Sequence, residues 1–407
     1  MTEAYVVATA RSPIGRAYKG SLAGIRADDL AAQLVRAAVA RVPGLDPERI
    51  DDLLLGCGLP GGEQGMNLAR IVAVLCGWDS VPGATVTRYC SSSLQTTRMA
   101  FHAIKAGEGH VFVSAGVESV SRMQVGSSDY IPGAELENPL FAAAMERTAS
   151  RAEGGASGWA DPRGSGELPD PYIAMGQTAE NVAALHGITR EEQDAFAARS
   201  QQRAERAIAE GFWARDITPV TLPDGTQVVS DDGPRAGTTA EKLAELEPRF
   251  RPDGTVTAGN ACPLNDGAAA VVVMSAEAVD ELGVTPIARI VSTGVSGLSP
   301  EIMGLGPVEA SRRALALAGL TIGDMDLVEI NEAFAAQVIP SARELGIDEE
   351  KLNVKGGAIA VGHPFGMTGA RITSTLLNAL ADTGGRYGLE TMCVGGGQGM
   401  AMVLERL

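Results

Sequence analysis

Short β-branched runs alternate with longer alanine-rich stretches of helical period, and the alternation occurs twice along the chain. The first series is AYVVATA (4–10), DDLAAQLVRAAVARV (28–42), DDLLLGCG (51–58), ATVTRYC (84–90) with a helical run behind it, and GHVFVSAGV (109–117). The second is IARIVSTGV (287–295), PVEASRRALALAGL (307–320), MDLVEINEAF (325–334), GARITSTLLNALADTG (369–384), ETMCVGG (390–396) and GMAMVLERL (399–407). Such a rhythm predicts α/β architecture, parallel strands covered by helices, in two similar halves. A length of 407 residues agrees, since it exceeds what one hydrophobic core usually organises.

Between the halves the pattern changes. EGGASGWADPRGSGELPDP (153–171) is loop-rich, while TREEQDAFAARSQQRAERAIAEGFWA (189–214) predicts a polar amphipathic helix, with Thr189 as N-cap and Glu192 three residues on. We therefore expect a first half built from residues 1–120 and 255–275, an inserted loop domain over 121–254 that covers a site, and a second half over 276–407.

Composition narrows the function classes. With 45% hydrophobic and 20% charged residues and a mean hydropathy of +0.06, the chain predicts a compact globule. No apolar run approaches the roughly 18–20 residues of a membrane span. The amino-terminal stretch lacks the basic start and apolar centre of a signal peptide, so a cytoplasmic location is expected. A net charge of −17 opposes nonspecific nucleic-acid binding, and an anionic small ligand needs its own local cluster of cations or N–H groups. Five cysteines without a CxxC pair predict free thiols, with neither disulfides nor a metal.

Cys90 lies at a strand-to-helix junction, followed by Leu94, Phe101 and Ile104 on one apolar helix face. N–H groups at a helix start favour thiolate, so a nucleophile with a lowered pKa is one expectation and an inert core cysteine the other. A nucleophile needs a base. Of four histidines, His102, His110 and His186 sit in or beside regular elements and read as structural. His363 instead lies among glycines in KGGAIAVGHPFGMTGAR, where backbone can approach a ligand closely. Cys393 ends an apolar strand and enters GGGQG. A strand rather than a helix follows, which excludes the dinucleotide fingerprint and suits N–H groups aimed at an oxyanion, or else a plain hairpin beside a core cysteine. Asn331 and Glu332 occupy another strand-to-helix junction. Asn331 there can orient a water or a histidine, and Glu332 is either functional or a helix-start charge.

Four of these segments, CSSSLQ, NEAFA, GGAIAVGHPFGMTGAR and CVGGGQGMA, resemble the thiolases, and the likeness extends from ARSPIG through MGQTAENVA and DGTVTAGNACPLNDGAAA to the C-terminus. The resemblance implies a five-layered αβαβα fold of two similar halves with an inserted loop domain, and a homodimer or homotetramer. Residue by residue it implies that Cys90 takes the acyl group and His363 activates it. His363 with a water held by Asn331 forms an enolate oxyanion hole, Cys393 moves a proton at the acetyl carbon, and the N–H groups of Cys90 and Gly395 form a second oxyanion hole. Met175, Ala258, Cys262 and Phe334 are the implied substrate contacts. CoA thioesters are the implied ligands, with coenzyme A a substrate and no tightly bound cofactor or metal, and association with other β-oxidation enzymes is a further implied partnership.

The chain departs from the family pattern at Cys262-Pro263, where Ser-Gly is frequent, at Ser93, Lys355 and Met367, and at Ala174 where short-chain biosynthetic members carry His. Ala174 and the stretch 231–250 favour a degradative 3-ketoacyl-CoA thiolase that accepts acyl groups longer than acetoacetyl, while Cys262-Pro263 removes a hydroxyl contact to the CoA arm. The segment Gly154–Pro171 has no clear counterpart and is expected to reshape the acyl pocket. Rivals are a ketosynthase-like condensing enzyme, a cysteine hydrolase built on Cys90, His363 and Asn331, and an inactive CoA-ester-binding or scaffold subunit. The first two leave Cys393 unexplained.

Overall fold

The computed structural model describes residues 2–123, 137–154 and 158–407. Twelve strands are present among them: β1 Ala4–Arg11, β2 Gly15–Arg16, β3 Asp52–Gly56, β4 Gly83–Val86, β5 Val111–Ser119, β6 Val220–Thr221, β7 Gln227–Val228, β8 Asn265–Ser275, β9 Ala288–Gly297, β10 Leu327–Ile330, β11 Tyr387–Val394 and β12 Gln398–Arg406. The helices are α1 Ala27–Ala40, α2 Leu68–Leu75, α3 Ser92–Ala106, α4 Ala142–Ala152, α5 Met175–His186, α6 Arg190–Ala209, α7 Phe212–Asp216, α8 Ala240–Ala244, α9 Ala276–Leu282, α10 Gly306–Ala318, α11 Ala335–Leu345, α12 Ala358–Val361 and α13 Thr368–Thr383.

Hydrogen bonds order the main strands β10-β11-β12-β9-β1-β8-β5-β3-β4. The path repeats itself about β9 and β1: β3-β5-β8-β1 has the same sequence of neighbours as β10-β11-β12-β9. In the strand ladder the halves meet through two residue pairs among the described residues, Tyr5 with Arg289 and Val6 with Ala288. Pairing is mixed, which the rhythm of the sequence did not show. β3–β4, β3–β5 and β10–β11 are parallel, whereas β8 and β12 run antiparallel to both neighbours. A hairpin brings β11 straight back into β12, and β8 returns after the long excursion, so neither needs a crossover helix.

Five layers follow from which side chains pack together. Helices α1 and α2 cover the outer face of the first half, with Leu30, Leu34 and Val72 against Leu53, Val113 and Val272. Helices α10 and α11 cover the other outer face, with Ala314, Leu315 and Val338 against Val328, Leu389 and Val403. Between the halves lie α3 and α13, where Leu94, Phe101 and Ile104 meet Ile372, Leu376 and Leu377. Burying each of these large side chains contributes about 1.5–3 kcal/mol. Central strands β5 and β8 are buried along their whole length, as near-continuous apolar runs covered on both faces should be.

Helices α4 to α8 belong to the excursion. Helix α6 carries the expected capping box: the Thr189 hydroxyl accepts from Glu192 N, and the Glu192 carboxylate accepts from Thr189 N. Buried polar links tie the excursion to the halves. Arg11 of β1 reaches Asp216 at 2.8 Å and Asp231 at 2.5 Å, and Glu180 of α5 accepts from the N–H groups of Thr255 and Val256. Glu332 is one of these links rather than a helix-start charge. Its buried carboxylate accepts from Ser200 Oγ at 2.6 Å, Asn353 Nδ2 at 2.8 Å and Ile359 N at 3.1 Å.

Candidate active site

Cys90 lies in a single tight turn, Tyr89–Ser91, that runs directly into α3. Tyr89 holds φ +44°, a left-handed conformation that costs a side chain about 1–2 kcal/mol. That bend lifts Cys90 to the wall of a hollow of about 360 Å³ that it shares with Met175, Gly395 and Gly396. The N–H of Gly395 and the N–H of Cys90 itself both face the Cys90 sulfur. Gly395 is delivered there by the β11–β12 turn, whose Gly396 and Gly397 hold φ +76° and +80°.

The thiol is not the standing thiolate that a helix start suggests. Burial pushes Cys90 up to about 11, and the Glu118 charge adds to the rise against the pull of the two N–H groups. Cys393, the penultimate residue of β11, is fully buried and also pushed up, first by burial and then by its thiol neighbours Cys90 and Cys262. Cys262 is half-buried and pushed up by the same two causes, burial and Cys90. Three thiols thus lie within electrostatic reach of one another.

His363 follows α12 and precedes α13, and only 1% of it is exposed. Its Nδ1 lies 2.6 Å from Thr368 Oγ1, which donates its proton to the Pro364 carbonyl. The hydroxyl oxygen therefore accepts at Nδ1, placing the imidazole proton there and leaving Nε2 with a lone pair. Nε2 faces Asn331 Nδ2 at 3.3 Å. Burial, with the charge of Arg371, depresses His363 to about 3, so the ring is neutral at any ordinary pH. Asn331 is itself held by Gln337, whose Nε2 donates to its carbonyl, and its Oδ1 has no partner among the described residues.

Of the implied substrate contacts, Met175 lines the Cys90 hollow. Ala258 lines a second crevice, together with Pro263, Arg16, Arg235 and Lys242. Phe334 packs edge-on against Phe250 at 6.2 Å, and Ala261 bridges to Phe334, which seats Cys262 beside them. The three cations come from two distant segments, Arg16 from one and Arg235 with Lys242 from the other, and nothing in the local sequence marks them as a set. Glu118 was likewise not evident. Its buried carboxylate, raised to about 7, accepts from the N–H groups of Gly58, Leu59 and Gly366, and so fixes the loops on either side of Cys90 and His363. A Cβ on Gly366 would stand 2.2 Å from the Val117 carbonyl, which is why that approach needs glycine. Among the remaining histidines, His110 bonds Ser275 and His186 sits near Glu344, away from this centre. The described residues contain no cluster able to hold a metal ion.

Residues 4–277 match the family model for the thiolase N-terminal domain and residues 284–406 that for the thiolase C-terminal domain. The chain belongs to the thiolase family. Full-length relatives agree: the 3-ketoacyl-CoA thiolase of Bacillus subtilis is 44% identical, with 100% of each chain covered. A β-ketoadipyl-CoA thiolase of Pseudomonas aeruginosa is 45% identical over 100% of this chain and 99% of its own. Among solved structures, human mitochondrial 3-ketoacyl-CoA thiolase superposes with a TM-score of 0.86 at 38% identity, covering 100% of this chain and 99% of the other. The acetyl-CoA acetyltransferase of Bacillus anthracis gives 0.85 at 38%, with the same coverage. The thiolase fold, five layers from two similar halves, is therefore shown by comparison as well as by packing. No helix among the described residues is long and apolar enough to cross a membrane.

Proposed function

We propose that this thiolase cleaves 3-ketoacyl-CoA with CoA to acetyl-CoA and a shortened acyl-CoA, or runs the reverse condensation, through an acyl group on Cys90. The observation that carries this reading is that the buried thiol of Cys393 lies within electrostatic reach of Cys90, while Phe365 of the Cys90 hollow packs edge-on against the neutral imidazole of His363 at 5.2 Å. A hydrolase or a ketosynthase-like enzyme has no use for the second thiol.

Chemistry follows from the protonation states. His363 Nε2 takes the Cys90 proton as the sulfur attacks the ketone carbon, and the N–H groups of Cys90 and Gly395 stabilise the tetrahedral oxygen. The bond between the α and β carbons breaks, leaving acyl-Cys90 and the enolate of acetyl-CoA. His363, now carrying a proton at Nε2, and Asn331 stabilise the enolate oxygen, while Cys393 gives its proton to the carbon. The thiol of a second CoA then gives its proton to the Cys393 thiolate and takes the acyl group, and the leaving Cys90 sulfur recovers its proton from His363, so kinetics are ping-pong. Coenzyme A is a substrate in this scheme, with no resident cofactor and no metal. Arg16, Arg235 and Lys242 offer its phosphates the local cation cluster that a chain of net charge −17 must supply, and Ala258 and Pro263 lead from there inward.

We further propose a homodimer or homotetramer in the cytoplasm, active in degradative fatty acid metabolism. The half-exposed edge strand β4 supports association, and five unpaired cysteines support a reducing compartment. The test follows loss of 3-keto thioester absorbance with acetoacetyl-CoA and a medium-chain 3-ketoacyl-CoA in the presence of CoA. Turnover that vanishes in Cys90→Ala and Cys393→Ala supports the reading. A folded, CoA-binding wild type that turns over neither substrate overturns it in favour of a scaffold subunit.

A further inference from the structure

The hollow that holds Cys90 differs in character from the crevice that holds Arg16, Arg235 and Lys242. Leu59, Ile173, Met175, Phe365 and the rings of Tyr89 and Tyr172 surround it, and among the described residues its one charged group is the carboxylate of Glu137, with no Lys or Arg in its walls. Arg88, the cation next to the nucleophile, lines a neighbouring hollow and donates to Gln398 Oε1 at 2.8 Å.

The wall bearing Tyr172 is anchored. Buried Glu301 accepts from Trp159 Nε1 at 2.7 Å and from Asp170 N at 3.0 Å, and Asp170 in turn accepts from Tyr172 N at 2.9 Å. At its far end the Tyr172 hydroxyl accepts from Asn138 N at 3.0 Å, and its ring meets Phe141 edge-on at 5.8 Å. Glu137 therefore stands beside Tyr172 because the same contacts place both. Part of the segment Gly154–Pro171 thus shapes the hollow, as the sequence suggested, with residues 155–157 lying outside the described residues.

We propose that this hollow selects acyl groups with an uncharged, apolar end and rejects those ending in a carboxylate, with Glu137 and Tyr172 as the specificity-determining residues. The inference rests on the thiolase reading above. The hollow that holds Cys90 and the cation-lined crevice share no lining residue, so the acyl group on Cys90 extends into the apolar hollow while the crevice serves the CoA phosphates. A hydrocarbon end gains contact with its walls. A carboxylate end meets no cation among the described residues and faces the like charge of Glu137.

The experiment compares 3-oxohexanoyl-CoA with 3-oxoadipyl-CoA, which have the same number of acyl carbons and differ in a terminal methyl or carboxylate, with acetoacetyl-CoA as reference. Wild-type kcat/KM is expected to be about ten- to a hundred-fold higher for the hexanoyl substrate, equivalent to about 1.4–2.8 kcal/mol. In Glu137→Lys the adipyl-to-hexanoyl ratio is expected to rise several-fold. Equal or better use of 3-oxoadipyl-CoA by the wild type, or a ratio unmoved in Glu137→Lys, overturns the proposal. Loss of the adipyl activity in Arg88→Ala would then identify the cation that serves it. Inactivity on all three substrates overturns the thiolase reading itself, a different outcome from activity without discrimination.

Discussion

Thr368 Oγ1 lies 2.6 Å from Nδ1 of His363 and hands its own proton to the Pro364 carbonyl at 2.7 Å, so it fixes which nitrogen of the ring is basic. Thr368→Val keeps the shape and removes the acceptor, which frees the other tautomer. We expect kcat with acetoacetyl-CoA to fall about ten- to a hundred-fold, since a mispositioned base forfeits much of the 10²–10⁴ that general-base catalysis supplies. Thr368→Ser should restore most of it. Equal rates in wild type and Thr368→Val would remove the hydroxyl from the mechanism.

The pH dependence of Cys90 has a definite sign. With the thiol pushed up to about 11 and His363 down to about 3, both groups are neutral across the range between, and no imidazolium holds a thiolate in place. Alkylation of Cys90 by iodoacetamide should therefore climb about tenfold per pH unit from pH 6.5 to 9.5, following the thiolate fraction. Peptide mass spectrometry of Cys90 against pH measures it. A plateau below pH 8 would show a thiolate already formed, contrary to the burial argument.

Much of this centre was legible in the sequence for a physical reason. Glycines that must pass close to a ligand or turn a chain mark their neighbours, and so His363 and Cys393 stood out, while Cys90 stood out by its place at a strand-to-helix junction. What depends on burial was not legible. A helix start suggests a lowered thiol pKa, yet enclosure of Cys90 outweighs two N–H groups and reverses the sign. Glu332 looks like a helix-start charge until Ser200 and Asn353, from other elements, are seen to clasp it. Arg16 meets Arg235 and Lys242 only after folding, as Glu301 meets Trp159 and Asp170. Strand direction was the other loss, because alternation of apolar runs does not say whether a hairpin or a crossover joins them.

Arg11 provides a stability test. Its guanidinium is fully buried between Asp216 and Asp231, and it stacks over Trp213 at 4.9 Å, pinning the excursion to β1. Arg11→Met leaves two carboxylates without their cation and should destabilise the fold by about 3–5 kcal/mol. The measurement is the urea midpoint. Adding Asp216→Asn and Asp231→Asn to the variant removes the orphaned charges and should recover part of the loss. No change in midpoint would mean that water reaches the cluster.

Cys393 separates the two halves of the reaction. Exchange of an acetyl group between acetyl-CoA and free CoA needs Cys90, the base, and the N–H groups of Cys90 and Gly395, since only thioester bonds form and break. Making or breaking the carbon–carbon bond additionally needs a proton moved at the acetyl carbon, the step assigned to Cys393. Cys393→Ala should therefore keep acetyl exchange within about tenfold of wild type while thiolysis of acetoacetyl-CoA falls by about 10²–10⁴, the usual weight of acid–base catalysis. Cys90→Ala should lose both. Isotope exchange between labelled CoA and acetyl-CoA, run beside the absorbance assay, reads the two activities on one preparation. If exchange and thiolysis fall together in Cys393→Ala, the second thiol acts on Cys90 rather than on carbon. Its burial against Cys90 would then be the reason to look for a role in holding the nucleophile.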